Sequence, residues 1–86
     1  MSGPYRVEIQ RRALKEIAKL DAKMRQRIGE AIDELATDPR PQGGKKLVGR
    51  EAWRIRVGSY RVLYDIEDDV LVVRVVRVAH RREVYE

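Results

Sequence analysis

The sequence predicts an α+β fold: an antiparallel sheet of about four strands with an N-terminal helical hairpin packed on one face, in the order β-α-α-β-β-β. Three observations lead there. Apolar residues alternate along residues 5–9 and again along runs at about 52–57 and 60–66, but recur at helical spacing between residues 12 and 35. The pair Gly58-Ser59 separates two alternating runs, as in a tight hairpin. No repeat, low-complexity tract or linker interrupts the 86 residues, so one small domain is expected over 1–86.

Taken in order, Tyr5, Val7 and Ile9 lie on the buried side of a first strand. Leu14, Ile17 and Ala18 supply the apolar face of a first helix, and Met24, Ile28, Ala31, Ile32 and Leu35 that of a second. Asp21 stands between the two sets as an N-cap. Thr37-Asp38-Pro39 ends the second helix, because the residue before proline disfavours the α region. Residues 39–50, with two prolines and Gly43-Gly44, read as a basic connecting loop. Three strands follow, at about 52–57, 60–66 and 70–78, with Glu67-Asp68-Asp69 as the turn before the last. That last run is apolar on both faces apart from Arg74 and Arg77, which suits a central strand. Its register stays open, since a two- or three-residue turn would swap the face that Arg74 occupies.

Composition removes several function classes. With no cysteine there is no disulfide, thiolate nucleophile or Cys-ligated zinc, and a single histidine removes a His-rich metal site. No metal or other cofactor is expected. The longest apolar run, Val70-Leu71-Val72-Val73, is too short to span a bilayer, and Met1-Ser2-Gly3-Pro4 has no signal-peptide pattern, so a soluble cytoplasmic protein without a membrane partner is expected. The formal charge of +5 is unevenly spread. Residues 1–39 hold eight cations and seven acids, whereas residues 40–61 hold seven cations and one acid, Glu51. Such a concentration suits a polyanion.

The run Trp53-Arg54-Ile55-Arg56-Val57-Gly58-Ser59-Tyr60-Arg61-Val62-Leu63-Tyr64 carries the sharpest signal. A two-residue loop sets Val57 opposite Tyr60 and Arg56 opposite Arg61, with Arg54 two residues along the same face. Trp53, Ile55, Val57, Tyr60, Val62 and Tyr64 then share the other face, where they can build a core. Like charges set across from each other destabilise a sheet by tenths of a kcal/mol, so three converging guanidiniums call for an anion.

These pieces resemble the RelE/ParE superfamily of toxin–antitoxin toxins, and its RelE branch in particular. The likeness runs over nearly the whole chain: an early strand into RRALKEIAKL, then DPRP, GGKKLVG, WRIRVGSYRVLYDI and a closing VVRVAHRREVYE. The resemblance implies a ribosome-dependent endoribonuclease that cuts messenger RNA in the ribosomal A site and is held inactive by a cognate, RelB-like antitoxin. By motif it implies an active site of Arg54, Arg56, Arg61, Arg81 and Tyr85. Two departures stand out: the hairpin cations are arginines where the best-known members have lysines, and the chain reaches Glu86 directly after Tyr85, without the C-terminal helix of some relatives.

Metal-free cleavage of RNA begins with attack of a ribose 2′-OH on the adjacent phosphate. Arginine fits the phosphorane that forms, because its planar fork matches phosphate oxygens bidentately. Arg61 is the expected main clamp, supported by Arg56. Arginine is a poor general base near neutral pH, which shifts proton abstraction to Tyr85, provided nearby cations lower its pKa. Tyr85 can instead stack on a base. Arg81 is expected to neutralise the leaving oxygen. Lys45, Lys46, Arg50 and His80 are expected to contact RNA; His80, a lone histidine at a strand end, also has a purely structural reading. Two further classes stay open: a ParE-like DNA gyrase inhibitor that cuts nothing, and a non-catalytic basic RNA-binding module.

Overall fold

The computed structural model describes residues 3–47, 52–80 and 82. Its elements are β1 (Arg6–Ile9), α1 (Arg11–Ala18), α2 (Ala22–Leu35), β2 (Lys45–Lys46), β3 (Trp53–Val57), β4 (Tyr60–Glu67) and β5 (Val72–His80). The five strands form one sheet in the order β1-β5-β4-β3-β2. The α+β class holds, with two corrections to the sheet. It is mixed rather than antiparallel, because β1 runs parallel to β5, with Arg6 opposite Val72 and Ile9 opposite Val75. Parallel neighbours need a long crossover connection, and here everything from α1 to β4 intervenes. The second correction is a fifth strand: Lys45 and Lys46, expected in a loop, pair with Arg54 and Trp53.

Both helices cover one face. Ala13, Ile28, Ile32 and Leu35 pack with Ile55, Val57, Val62, Tyr64, Val73, Val75 and Val78 in the main core. The hydrophobic effect makes this cluster the principal source of stability. α1 differs from its expected face. Ala13 is fully buried and Ile17 is half-buried, while Leu14 is 52% exposed and Ala18 is exposed. An eight-residue helix has room for one narrow stripe, and Ala13 and Ile17 at i, i+4 supply it. α2 begins as expected, with Asp21 accepting a 2.8 Å hydrogen bond from the Met24 backbone N–H.

The β3–β4 hairpin has the predicted register, Val57 opposite Tyr60 and Arg56 opposite Arg61. Gly58 alone of the turn pair has positive φ, +60°, the pattern of a type II′ turn. The last strand starts at Val72 rather than Val70, after a four-residue turn that places Glu67 opposite Val72 and Asp65 opposite Arg74. Arg74 thus lies on the face away from the helices, where Asp65 (3.0 Å), Glu67 (2.6 Å) and Glu8 (3.5 Å) surround it. Hydrogen bonding to Glu67, aided by the neighbouring carboxylates, raises the pKa of that guanidinium. Further along, the register slips between Leu63 and Tyr64. Val73 and Val75 face the main core before the slip and Val78 after it, so β5 carries one extra residue near Arg77.

Candidate RNA-binding face

The sheet face away from the helices changes character along its length. At one end sits the neutralised network around Arg74. In the middle Leu47, Leu63 and Ala79 form a second, small buried cluster. At the hairpin end strand alternation puts Arg54, Arg56 and Arg61 on this same face. Arg54 pairs with Leu63 and Arg61 with Ala79, both members of that second cluster. β2 then adds Lys45 directly opposite Arg54. Four cationic side chains from three adjacent strands therefore share one end of one face.

Their environments differ. Arg54 is only 4% exposed, and both Arg54 and Arg61 are engaged by neighbours. Arg61 is half-buried. Arg56 is exposed and makes no ion pair among the described residues. Beside this group Gln42, Gly43, Lys45, Arg54, Ile55 and Arg56 line an open concavity of about 360 Å³. A buried, held guanidinium next to an exposed one is a preorganised arrangement for an anion: the first is fixed before a ligand arrives, and the second can close on it.

The segment that delivers β2 is anchored from three sides. The Tyr64 hydroxyl donates to the Pro39 carbonyl at 2.8 Å in the core, and burial pushes its pKa up to about 12. Arg40 donates to both carboxylate oxygens of Asp68, at 3.2 and 2.8 Å, and its guanidinium lies 5.4 Å from the Trp53 ring centroid. Tyr5 donates to the same Asp68 at 2.6 Å. Arg40, with a further contribution from Tyr5, holds the Asp68 carboxyl below its ordinary pKa.

The remaining predicted site residues separate. Lys46 pairs with Trp53, so alternation turns it towards the helix-bearing face, away from Lys45. His80 pairs with Tyr60, also on that face; their rings meet edge to face at 5.5 Å, and His80 Nδ1 accepts from the Arg82 N–H at 3.2 Å. Arg50, Arg81 and Tyr85 lie outside the described residues. Sequence reasoning missed how Lys45 joins the arginines, because a two-residue strand has no periodicity to detect. The pair of Arg77 with Glu16 on α1 was missed as well; Glu16 Oε2 accepts from Arg77 at 2.8 and 3.2 Å.

A family model described as the ParE toxin of type II toxin–antitoxin systems, parDE, matches residues 7–85. The chain belongs to the RelE/ParE superfamily of type II toxins. Within the superfamily its curated relatives carry RelE-type names. The mRNA interferase toxin RelE of Escherichia coli K12 is 32% identical over 85 residues, which is 94% of this chain and 90% of the relative. Toxin RelG of Mycobacterium tuberculosis is 31% identical over 86 residues, 95% of this chain and 97% of the relative. Among solved structures, RelE from the RelE–RelB complex of Pyrococcus horikoshii superposes with a TM-score of 0.83 at 28% identity, covering 94% of this chain and 99% of that one. The α+β sandwich with its hairpin is therefore that of a RelE-like toxin. Among the described residues no helix is long and apolar enough to cross a membrane.

Proposed function

We propose that this RelE-like toxin is an endoribonuclease that cuts messenger RNA on the ribosome, and that a RelB-like antitoxin holds it in check. The observation that carries the reading is the meeting of Arg54, Arg56, Arg61 and Lys45 at one end of one sheet face. Arg56 and Arg61 stand directly opposite each other, a costly placement that a phosphodiester between them offsets. The relatives' names support the same reading, one being an mRNA interferase and others toxins from RelB–RelE complexes.

In the proposed reaction the ribose O2′ forms a bond to phosphorus as the P–O5′ bond breaks, leaving a 2′,3′-cyclic phosphate and a 5′-hydroxyl. The O2′ proton passes to a base and the departing O5′ gains a proton. Arg61 and Arg56 bind the non-bridging oxygens, whose negative charge grows in the phosphorane. Arg54, fixed in the sheet, holds the field in place. Tyr85 is the proposed base and Arg81 the group that neutralises O5′. Lys45, opposite Arg54, contacts the RNA around the scissile bond, with Arg50 proposed beside it, whereas Lys46 and His80, on the other face, take no part there. No metal or other cofactor takes part in this scheme.

The test adds the protein to translating ribosomes and maps new 5′ ends on the message. Ends inside A-site codons are expected, and Arg61→Ala should reduce their formation by about 10²–10³ while the antitoxin still binds. Intact message with stalled DNA replication overturns the nuclease reading in favour of gyrase inhibition, the alternative that the ParE name of the family model keeps in view.

A further inference from the structure

β2 is only two residues long, and it leaves part of its neighbour uncovered. The Leu47 N–H donates to the Ala52 carbonyl at 2.7 Å, and Lys45 stands opposite Arg54 in the same register. Opposed residues of an antiparallel ladder alternate between hydrogen-bonded and non-hydrogen-bonded pairs. The main-chain groups of Ala52, Arg54 and Arg56 therefore point to the β2 side, and Gly43 would be the next partner, opposite Arg56. That pair does not form. The chain leaves the ladder at Gly44, whose N–H donates to the Pro41 carbonyl at 2.9 Å. Gly43 takes a left-handed φ of +94°, with nothing within 4 Å of the place a Cβ would occupy. Arg56 thus directs an N–H and a C=O outwards with no backbone partner among the described residues.

These two groups border the concavity of about 360 Å³ whose wall also holds Gln42. Gln42 is exposed, and its carboxamide makes no hydrogen bond among the described residues. Of the described side chains lining the concavity, it alone carries both a donor and an acceptor and no charge. A single outward residue is too short an edge for a peptide strand, which adds through a row of main-chain groups. It suits a flat ring with hydrogen-bonding edges, and Lys45, Arg54 and Arg56 beside it suit the phosphates attached to such a ring.

We infer that this concavity seats one base of the message next to the scissile phosphate and selects adenine. A glutamine carboxamide matches adenine N6 and N7 bidentately. The Arg56 N–H and C=O match N1 and the second N6 hydrogen on the other edge. Guanine sets O6 against the carbonyl and N1–H against the N–H, and uracil meets the same conflict. Cytosine satisfies the main chain but has no N7 for Gln42. Arg56 then serves twice, with its guanidinium on phosphate over the sheet face and its main chain on a base at the sheet edge. This deepens the nuclease reading and rests on it for the source of the base.

The experiment has two arms, each comparing the full-length protein with Gln42→Leu. In the first, isotope-labelled protein is titrated with the four nucleoside 5′-monophosphates while the Arg56 amide and Gln42 carboxamide signals are followed by NMR. In the second, ribosomes translate messages that differ only in the bases flanking the expected cut, and cleavage rates are measured. The adenine nucleotide should shift both signals and bind most tightly, and adenine at one flanking position should be preferred by about 5–150-fold. Gln42→Leu should lose most of that preference in both arms. Equal binding of the four nucleotides overturns the inference, as does a preference that survives Gln42→Leu. Uncut message together with adenine-selective shifts refutes the nuclease reading and leaves the pocket standing. Cleavage without base preference does the reverse.

Discussion

Glu16 shows how one side chain can couple two layers. Its carboxylate receives the Arg77 guanidinium and the Val78 N–H where β5 gains its extra residue, so it fixes α1 over the sheet and satisfies a backbone donor freed by the irregularity. Glu16→Ala leaves a part-buried guanidinium and an N–H without their acceptor, and is expected to cost about 1–3 kcal/mol in chemical denaturation. Tyr64 plays a comparable part on the loop side. Its folded-state pKa of about 12 exceeds the ordinary value near 10, so the unfolded chain loses this proton first. Stability from Tyr64 is therefore intact below pH 10 and declines as pH rises from about 10 to 12. Tyr64→Phe should flatten that alkaline decline in a series of thermal melts, while losing about 1 kcal/mol near neutral pH from the abandoned Pro39 carbonyl. Among the proposed site residues, Arg56→Ala should impair the proposed cleavage with little change in thermal midpoint, since the side chain is exposed. Arg54→Ala should lower both, since it empties a buried position.

The hairpin of β3 and β4 is the element on which the site depends, and its geometry turns on Gly58. At φ +60° an L side chain is strained, and a Cβ there would sit 3.1 Å from Met24 Cε and 3.4 Å from an Arg27 nitrogen on α2. Gly58→Ala is expected to destabilise the fold by about 1–3 kcal/mol and to loosen the opposition of Arg56 and Arg61. Reduced midpoint and reduced cleavage together in that variant, with the midpoint alone restored by a stabilising change elsewhere, would separate register from stability. This hairpin was fully legible in the sequence, because alternation and a two-residue turn fix register locally. β2 was not: Lys45 and Lys46 pair with Arg54 and Trp53 at the end of a loop that Pro39 and Arg40 tie to Tyr64, Asp68 and Trp53, contacts between residues distant in sequence. The buried stripe of α1 was misjudged for a related reason. Eight residues permit more than one apolar arc, and packing over β5 selected Ala13 and Ile17 over Leu14 and Ala18.

For the molecule as a whole, the sheet separates two jobs. One face and its helices make the core, while the other runs from a neutralised network at Arg74, through a small apolar cluster, to the cations at the hairpin end. Cationic side chains are thus gathered where a phosphate is proposed to react, while Arg74 at the other end is ringed by carboxylates. Ribosome binding should weaken steeply with salt through counterion release, and a flat response would remove these cations from the docking surface. The sequence by itself determined the α+β class, the hairpin register, the shared face of Arg54, Arg56 and Arg61, and the resemblance that the family match bore out, because each follows from local periodicity, turn chemistry or motif order. Only the tertiary structure decided the parallel pairing of β1 with β5, the recruitment of Lys45, the separation of Lys46 and His80 from the arginines, and the face of Arg74. Those depend on which strand ends lie side by side and on a slip in register, contacts between distant residues that no local pattern encodes.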